Sequence, residues 1–166
     1  MERVLVIGSP GAGKSTFAAA IARRTGLPLV HLDQHYWRAG WIEPDAATWL
    51  RQVEGLAAGE RWVMDGNYGG TLSPRLERAD TVLWLDFPMW LCLARIVRRS
   101  LVHHGRTRPA MAEGCPERLS WKFLFHTARF PWNSRHRVVA KLAGFRGTLV
   151  HLRRPRDAAR WLAGLA

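Results

Sequence analysis

Val4-Leu5-Val6-Ile7-Gly8-Ser9-Pro10-Gly11-Ala12-Gly13-Lys14-Ser15 runs from an unbroken apolar segment into the spacing G-x-x-x-x-G-K-S. Each fixed letter of that octet has its own physical task. Glycines reach backbone angles closed to other residues, so consecutive N–H groups can turn inward around phosphate oxygens. Lys14 adds a mobile positive charge for the outer phosphates, and Ser15 offers a hydroxyl to Mg²⁺. The apolar run before the octet reads as a strand and the segment after it as a helix. The helix N-terminus would therefore face the same anion. This stretch predicts a nucleotide-phosphate site and, with it, an α/β fold.

The rest of the chain repeats the alternation. Short segments apolar on both faces occur at Arg3–Ile7, Leu29–Leu32, Trp62–Asp65, Thr81–Asp86 and Thr148–Leu152, as in a parallel sheet covered by helices. Between them lie helical stretches at Lys14–Arg24, Pro44–Ala58, Pro88–His103, Pro116–Leu142 and Pro155–Leu165. Four of these begin at proline, which suits a first helical turn. Pro131 inside Pro116–Leu142 predicts two helices or a kink there. The pattern is that of a doubly wound domain with its ligands at the carboxyl ends of the strands.

At 166 residues the chain has the size of one domain, with 48% hydrophobic and 23% charged residues. No apolar run is long enough to span a membrane. The early strand leaves no place for a signal peptide, and a cytoplasmic location is expected. Cys92 and Cys115 do not form a metal or redox spacing; Cys92 falls in an apolar helix and Cys115 in a polar loop.

Charge is the unusual feature. The net charge is +12, and the basic residues are almost all arginine. Ten of them fall between Arg95 and Arg137, against only Glu113 and Glu117. A local basic segment suits phosphate chemistry; uniform compositional bias is the competing explanation. Within it, His103–Pro116 is polar, rich in Gly and Pro, and reads as a flap carrying Arg106 and Arg108. Arg95 and Arg99, four apart on the preceding helix, share a face and can meet an anion together.

Three strand-end acids complete the set. Asp65, followed by Gly66, is the first choice for the metal side. Asp33 suits the acceptor side, orienting or deprotonating an incoming oxygen. Asp86 reads as structural. His31 and His35 flank Asp33 as packed residues or as substrate contacts. Trp37, Trp41 and Trp49 surround the same region as packing or as a stacking surface.

Taken together, the chain resembles the nucleoside-monophosphate-kinase group of P-loop NTPases, in which adenylate and shikimate kinases are relatives. The resemblance rests on GSPGAGKST at Gly8–Thr16, DGNY at Asp65–Tyr68, LDFP ending at Pro88, the arginine helix with its flap, and RRPRD at Arg153–Asp157. Within that group it is most similar to the small bacterial proteins labelled DNA topology modulation or adenylate kinase-like. The segments VMDGNYGGTLSPRLERADTVLWLDFPMWLCLARIVRR and GRTRPAMAEGCPE carry that narrower likeness.

The resemblance implies a three-layer fold over residues 1–166, with a five-stranded parallel sheet in the order 2-3-1-4-5. It also implies helices on both faces and an arginine-rich lid at about residues 103–137. ATP would rest on Gly8, Pro10, Gly11, Ala12, Gly13, Lys14, Ser15 and Thr16, with adenine near Arg153 and Arg156. Two departures matter: Asn67-Tyr68-Gly69 stands where adenylate kinases carry Phe-Pro-Arg, and no Gly-Gly-Gly is present. AMP is therefore not implied as the acceptor.

The expected function is ATP-dependent phosphorylation of a nucleotide or other small acceptor. Lys14, Arg95, Arg99, Arg106 and Arg108 would stabilise the transferring group, Ser15 and Asp65 would serve Mg²⁺, and Asp33 would serve the acceptor. The alternatives are an ATPase or ATP-binding regulator linked to DNA topology, with any DNA effect indirect, and a non-catalytic nucleotide switch.

Overall fold

The computed structural model describes residues 1–165. Five parallel strands form the sheet: β1 (Arg3–Gly8), β2 (Leu29–His31), β3 (Trp62–Asp65), β4 (Thr81–Leu85) and β5 (Thr148–Leu152). Their order is β2-β3-β1-β4-β5, as expected. β1 lies at the centre, with Val6 opposite Asp65 on β3 and Gly8 opposite Leu85 on β4. The phosphate octet thus leaves the middle of the sheet, between β3, which ends in Asp65, and β4, which Asp86 follows.

Alternation along β1 explains why both faces are covered. Val4 and Val6 point to one layer, where Phe17, Ala18 and Ile21 of α1 (Lys14–Thr25) pack with Cys92 and Ala158. Leu5 and Ile7 point to the other, against Trp49 and Val53 of α3 (Ala46–Ala57), Leu72 and Leu76 of α4 (Leu72–Arg78), and Val138 and Leu142 of α8 (Arg135–Leu142). The remaining helices are α2 (Leu32–Tyr36), α5 (Met89–Val102), α6 (Trp121–Ala128), α7 (Phe130–Asn133) and α9 (Pro155–Ala163). No helix among the described residues is long and apolar enough to cross a membrane.

Several boundaries depart from the sequence reading. β2 stops at His31, so Leu32 and Asp33 open the short helix α2, which the sequence reading left out. α4, absent from the expected helices, follows a 3₁₀ turn at Gly69–Thr71 and carries Pro74 in its first turn. The stretch Pro116–Leu142, expected as two helices or one kinked helix, holds three, α6, α7 and α8. Its first residues are not helical, because the Glu117 N–H donates to Arg106 O at 2.9 Å and the Gly105 N–H to Glu117 O at 3.0 Å. α6 begins only at Trp121, where the Ser120 hydroxyl caps the Phe123 N–H. Pro131 sits in the first turn of α7, so the chain breaks rather than kinks there.

Candidate functional site

The octet is shaped by contacts that only glycine tolerates. Gly11 has φ +78°, and a Cβ there would stand 2.3 Å from the Cys92 carbonyl oxygen of α5. The loop consequently lies flat on α5, tied down further by Ser9 Oγ donating to Cys92 Sγ at 3.1 Å. From α5, Arg95 Nη1 donates to Ala12 O at 3.0 Å while its guanidinium covers the Phe87 ring. Arg95 therefore braces the loop from beneath.

Lys14 folds back over the loop, its Nζ donating to Gly8 O and Ser9 O, both at 3.0 Å. Burial pushes its pKa down; Asp33 and Asp65 act the other way. Both carboxylates are thus within electrostatic reach of the ammonium. On the adjacent turn, Ser15 Oγ donates to Asp65 Oδ2 at 2.7 Å. The second oxygen of Asp65 meets His31 Nδ1 at 2.5 Å. Asp65 is only 5% exposed, and the pairing fixes its direction. His31 is thereby a carboxylate-orienting residue.

Hard oxygen donors side by side at the loop fit Mg²⁺ and not a softer metal. Among the described residues no cluster of three or more His, Cys, Asp or Glu could cage an ion alone. A cation here would be shared with phosphate oxygens, as the chemistry of such loops requires.

The Asp65–Tyr68 turn is held from below by a residue the sequence reading passed over. Arg75 on α4 is fully buried and has no carboxylate partner among the described residues. Its Nη1 donates to Gly66 O at 2.8 Å, its Nη2 to Asn67 O and Tyr68 O at 2.6 and 3.0 Å, and its Nε to Thr71 O at 3.0 Å. Burial pushes the guanidinium pKa down, and the carbonyls replace its lost hydration. Within the same turn, Asn67 Oδ1 accepts the Gly8 N–H at 3.0 Å. Tyr68, at φ +30°, donates its hydroxyl to Asp33 Oδ1 at 2.5 Å. Burial and then the Asp33 charge raise the Tyr68 pKa, so the phenol remains a donor. Asp33, Asp65 and the loop are therefore parts of one network. The aromatic Tyr36, Trp49 and Tyr68 pack beside it at ring-centroid distances of 4.6 to 5.0 Å.

The loop after α5 lies against α2 and the segment that follows it. Gln34 Nε2 donates to Pro109 O at 2.5 Å, Gly40 N to Gly114 O at 2.9 Å, and Trp41 Nε1 to Pro116 O at 3.3 Å. Met111, Ala112 and Cys115 form a small apolar cluster with Trp37 and Trp41. The tryptophans thus pack this loop, and Cys115 is buried within it.

The expected arginines divide. Arg99 and Arg108 converge on Glu117, at 3.1 and 2.5 Å. Burial and then Arg108 push the Arg99 pKa down. Arg106 is exposed and makes no side-chain hydrogen bond among the described residues. Arg153 lines a cavity of about 400 Å³ with Ser9, Phe87, Met89 and Phe130; Arg156 and Thr16 are exposed. Asp86 is anchored by Arg135 at 2.7 Å and His151 at 2.9 Å, with His151 stacked on Trp84 at 4.2 Å.

Comparison with known proteins agrees with this architecture. The family described as "ATPase family associated with various cellular activities (AAA)" matches residues 4–55, the segment holding the phosphate loop. No curated protein matches the sequence. A gluconokinase from Sinorhizobium meliloti 1021 superposes with a TM-score of 0.54 at 19% identity, covering 99% of this chain and 93% of its own. A sugar kinase from Janibacter sp. HTCC2649 gives 0.47 at 18%, covering 98% and 93%. At such identities the likeness is one of fold. Strand order, loop and the matched segment together give this chain the P-loop NTPase fold.

Proposed function

We propose that this protein is an ATP-dependent kinase that transfers the γ-phosphoryl group to a small acceptor whose reacting oxygen lies beside Asp33. The observation that carries the reading is the network joining Lys14, Ser15–Asp65 and Tyr68–Asp33 around one strand-end edge. Such an arrangement offers separate places for the phosphates and for an attacking oxygen.

Each residue has a derivable part. Lys14 exchanges its loop carbonyls for outer phosphate oxygens, and the loop amides hold the inner ones. Mg²⁺, when bound at Ser15 and Asp65, would neutralise charge on the phosphates. Tyr68 occupies Oδ1 of Asp33, leaving Oδ2 without a partner among the described residues. That oxygen takes the proton as the acceptor oxygen bonds to phosphorus and the bond to the ADP oxygen breaks. Arg99 and Arg108 meet the charge spread over the equatorial oxygens, and the 103–137 segment serves as the lid that excludes water. Arg153, beside the cavity behind Ser9, faces the nucleoside. On this reading the protein works in the cytoplasm, where ATP is plentiful.

The test is ADP formation from ATP and Mg²⁺ with a panel of nucleotides, nucleosides, sugars, sugar acids and polyols. At least one acceptor should raise turnover well above ATP alone. Asp33→Asn should abolish that increase while leaving ATP binding intact. If every acceptor leaves the rate unchanged, the kinase reading is wrong. The second reading, an ATPase linked to DNA, draws on the +12 charge and on exposed Arg98, Arg118, Arg129 and Arg137. It predicts hydrolysis stimulated by DNA rather than by any small acceptor.

A further inference from the structure

Glu117 is the one buried carboxylate of the basic segment, 5% exposed, and nothing in the proposed reaction uses it directly. Its side chain gathers three donors from two elements. Oε1 accepts from Arg99 Nε at 3.2 Å and from Ser100 Oγ at 3.1 Å, both on α5, and lies 3.1 Å from Arg99 Nη2. Oε2 accepts from Arg108 Nε at 2.5 Å, on the loop. Both guanidiniums are therefore held by their Nε edges. Arg99 Nη1 and both Nη groups of Arg108 make no hydrogen bond to the described residues. Arg99 also lies close enough to Lys14 and Asp33 to act on their charges.

The backbone of the same residue does a second task. Glu117 N donates to Arg106 O, Gly105 N donates to Glu117 O, and His104 pairs with Glu117 in an isolated parallel bridge. Residue 117 thus closes the stem of the loop whose tip rests on Trp37 and Trp41. One residue fixes the loop's base and the direction of its arginine.

We propose that Glu117 is a positioning residue that aims Arg99, by its free Nη1, and Arg108, by its two free Nη groups, at the transferring phosphoryl group. The inference rests on the phosphoryl-transfer reading above and deepens it. Two guanidiniums this close repel each other in a poorly hydrated place, and the shared carboxylate is what lets them stay together. Binding through Nε is the arrangement that orients a planar fork without consuming its outer donors. A glutamine at 117 keeps the shape but turns an amide N–H₂ toward one of the two cations. That arginine then swings away. Arg95, which spends an Nη on Ala12 O, lies outside this unit.

The test separates nucleotide binding from recognition of the reacting group and needs no acceptor. Calorimetry would compare Mg²⁺–ADP with Mg²⁺–ADP plus fluoroaluminate, a planar mimic of the transferring phosphoryl. The wild-type protein should bind the second mixture more tightly, on the order of 100-fold. Glu117→Gln should hold Mg²⁺–ADP within about twofold and lose at least about tenfold of that gain. Arg108→Ala should lose a similar share, and the double variant no more than either single one, because the two act as a unit.

If Glu117→Gln fails to fold, Ser100→Ala loosens the same carboxylate and should cost several-fold of the gain. A full gain in whichever of these two variants folds, or strictly additive losses in the double variant, would overturn the proposal. A wild-type protein that binds ADP but gains nothing from fluoroaluminate would instead overturn the phosphoryl-transfer reading, and this inference with it.

Discussion

Lys14 rests on the carbonyl oxygens of Gly8 and Ser9, bonds it must surrender to meet a phosphate. Replacing it with alanine should lower single-turnover transfer by about 10²–10³-fold, the usual cost of one charge-stabilising donor. Gly11 tests the loop differently. With φ +78° and a Cβ position 2.3 Å from Cys92 O, Gly11→Ala strains the backbone and pushes the loop off α5. A loss of about 1–3 kcal/mol in urea unfolding is expected. Asp86 gives a pH prediction. Burial works to raise its pKa, but hydrogen bonds from Arg135 and His151 outweigh it and hold the carboxyl below the ordinary range. A depressed folded-state carboxylate contributes stability that is fully present above its unfolded value, about 3.9, and is lost as pH falls through the folded one. Urea midpoints should therefore show Asp86→Asn less stable than wild type at neutral pH, with the difference vanishing on strong acidification.

Elements, rather than residues, carry the next level of organisation. α4 exists in this fold partly to deliver Arg75 beneath the Asp65–Tyr68 turn. Arg75→Met keeps the stem's volume but strands four donor bonds' worth of carbonyls, a loss of about 2–4 kcal/mol that equilibrium unfolding would register. The loop after α5 is tied to the segment after α2 by Trp41, through an Nε1 bond to Pro116 O and through packing. Trp41→Ala should raise amide hydrogen exchange across residues 103–117 while leaving β1 and α1 protected. Unchanged exchange in that loop would mean that Trp41 does not hold it.

For the whole molecule, the sheet order brings the phosphate loop and the groups that follow β2 and β3 to one edge. β1, β3 and β2 are neighbours, so Lys14, Ser15, Asp65, His31 and Asp33 arrive together although they come from three crossings of the chain. A ligand that binds only the folded state stabilises it by mass action, about 2.7 kcal/mol at 100 times its Kd. For a chain of this size Mg²⁺–ATP should then raise the melting temperature by about 5–10 °C. Calorimetric melting with Lys14→Ala as control checks this, and equal shifts in both proteins would argue against binding at the loop.

The phosphate octet, the five short apolar strands and the parallel sheet were legible in the sequence because they are written locally. A loop motif spans eight positions, and strand and helix periods need few more. Asp65 was legible as a strand-end acid for the same reason, whereas Asp33, read as one too, lies in α2 because β2 stops at His31. The partners were not. His31 meets Asp65 across 34 positions and Tyr68 meets Asp33 across 35. Nothing in the local pattern marks Arg75 as buried beneath the turn, and Glu117 stands in the sequence as one of two acids among ten basic residues. Side-chain partnership across strands depends on strand order and loop packing, which local pattern does not encode. The tertiary structure alone decided which charges are buried, which are paired, and which are left facing the loop.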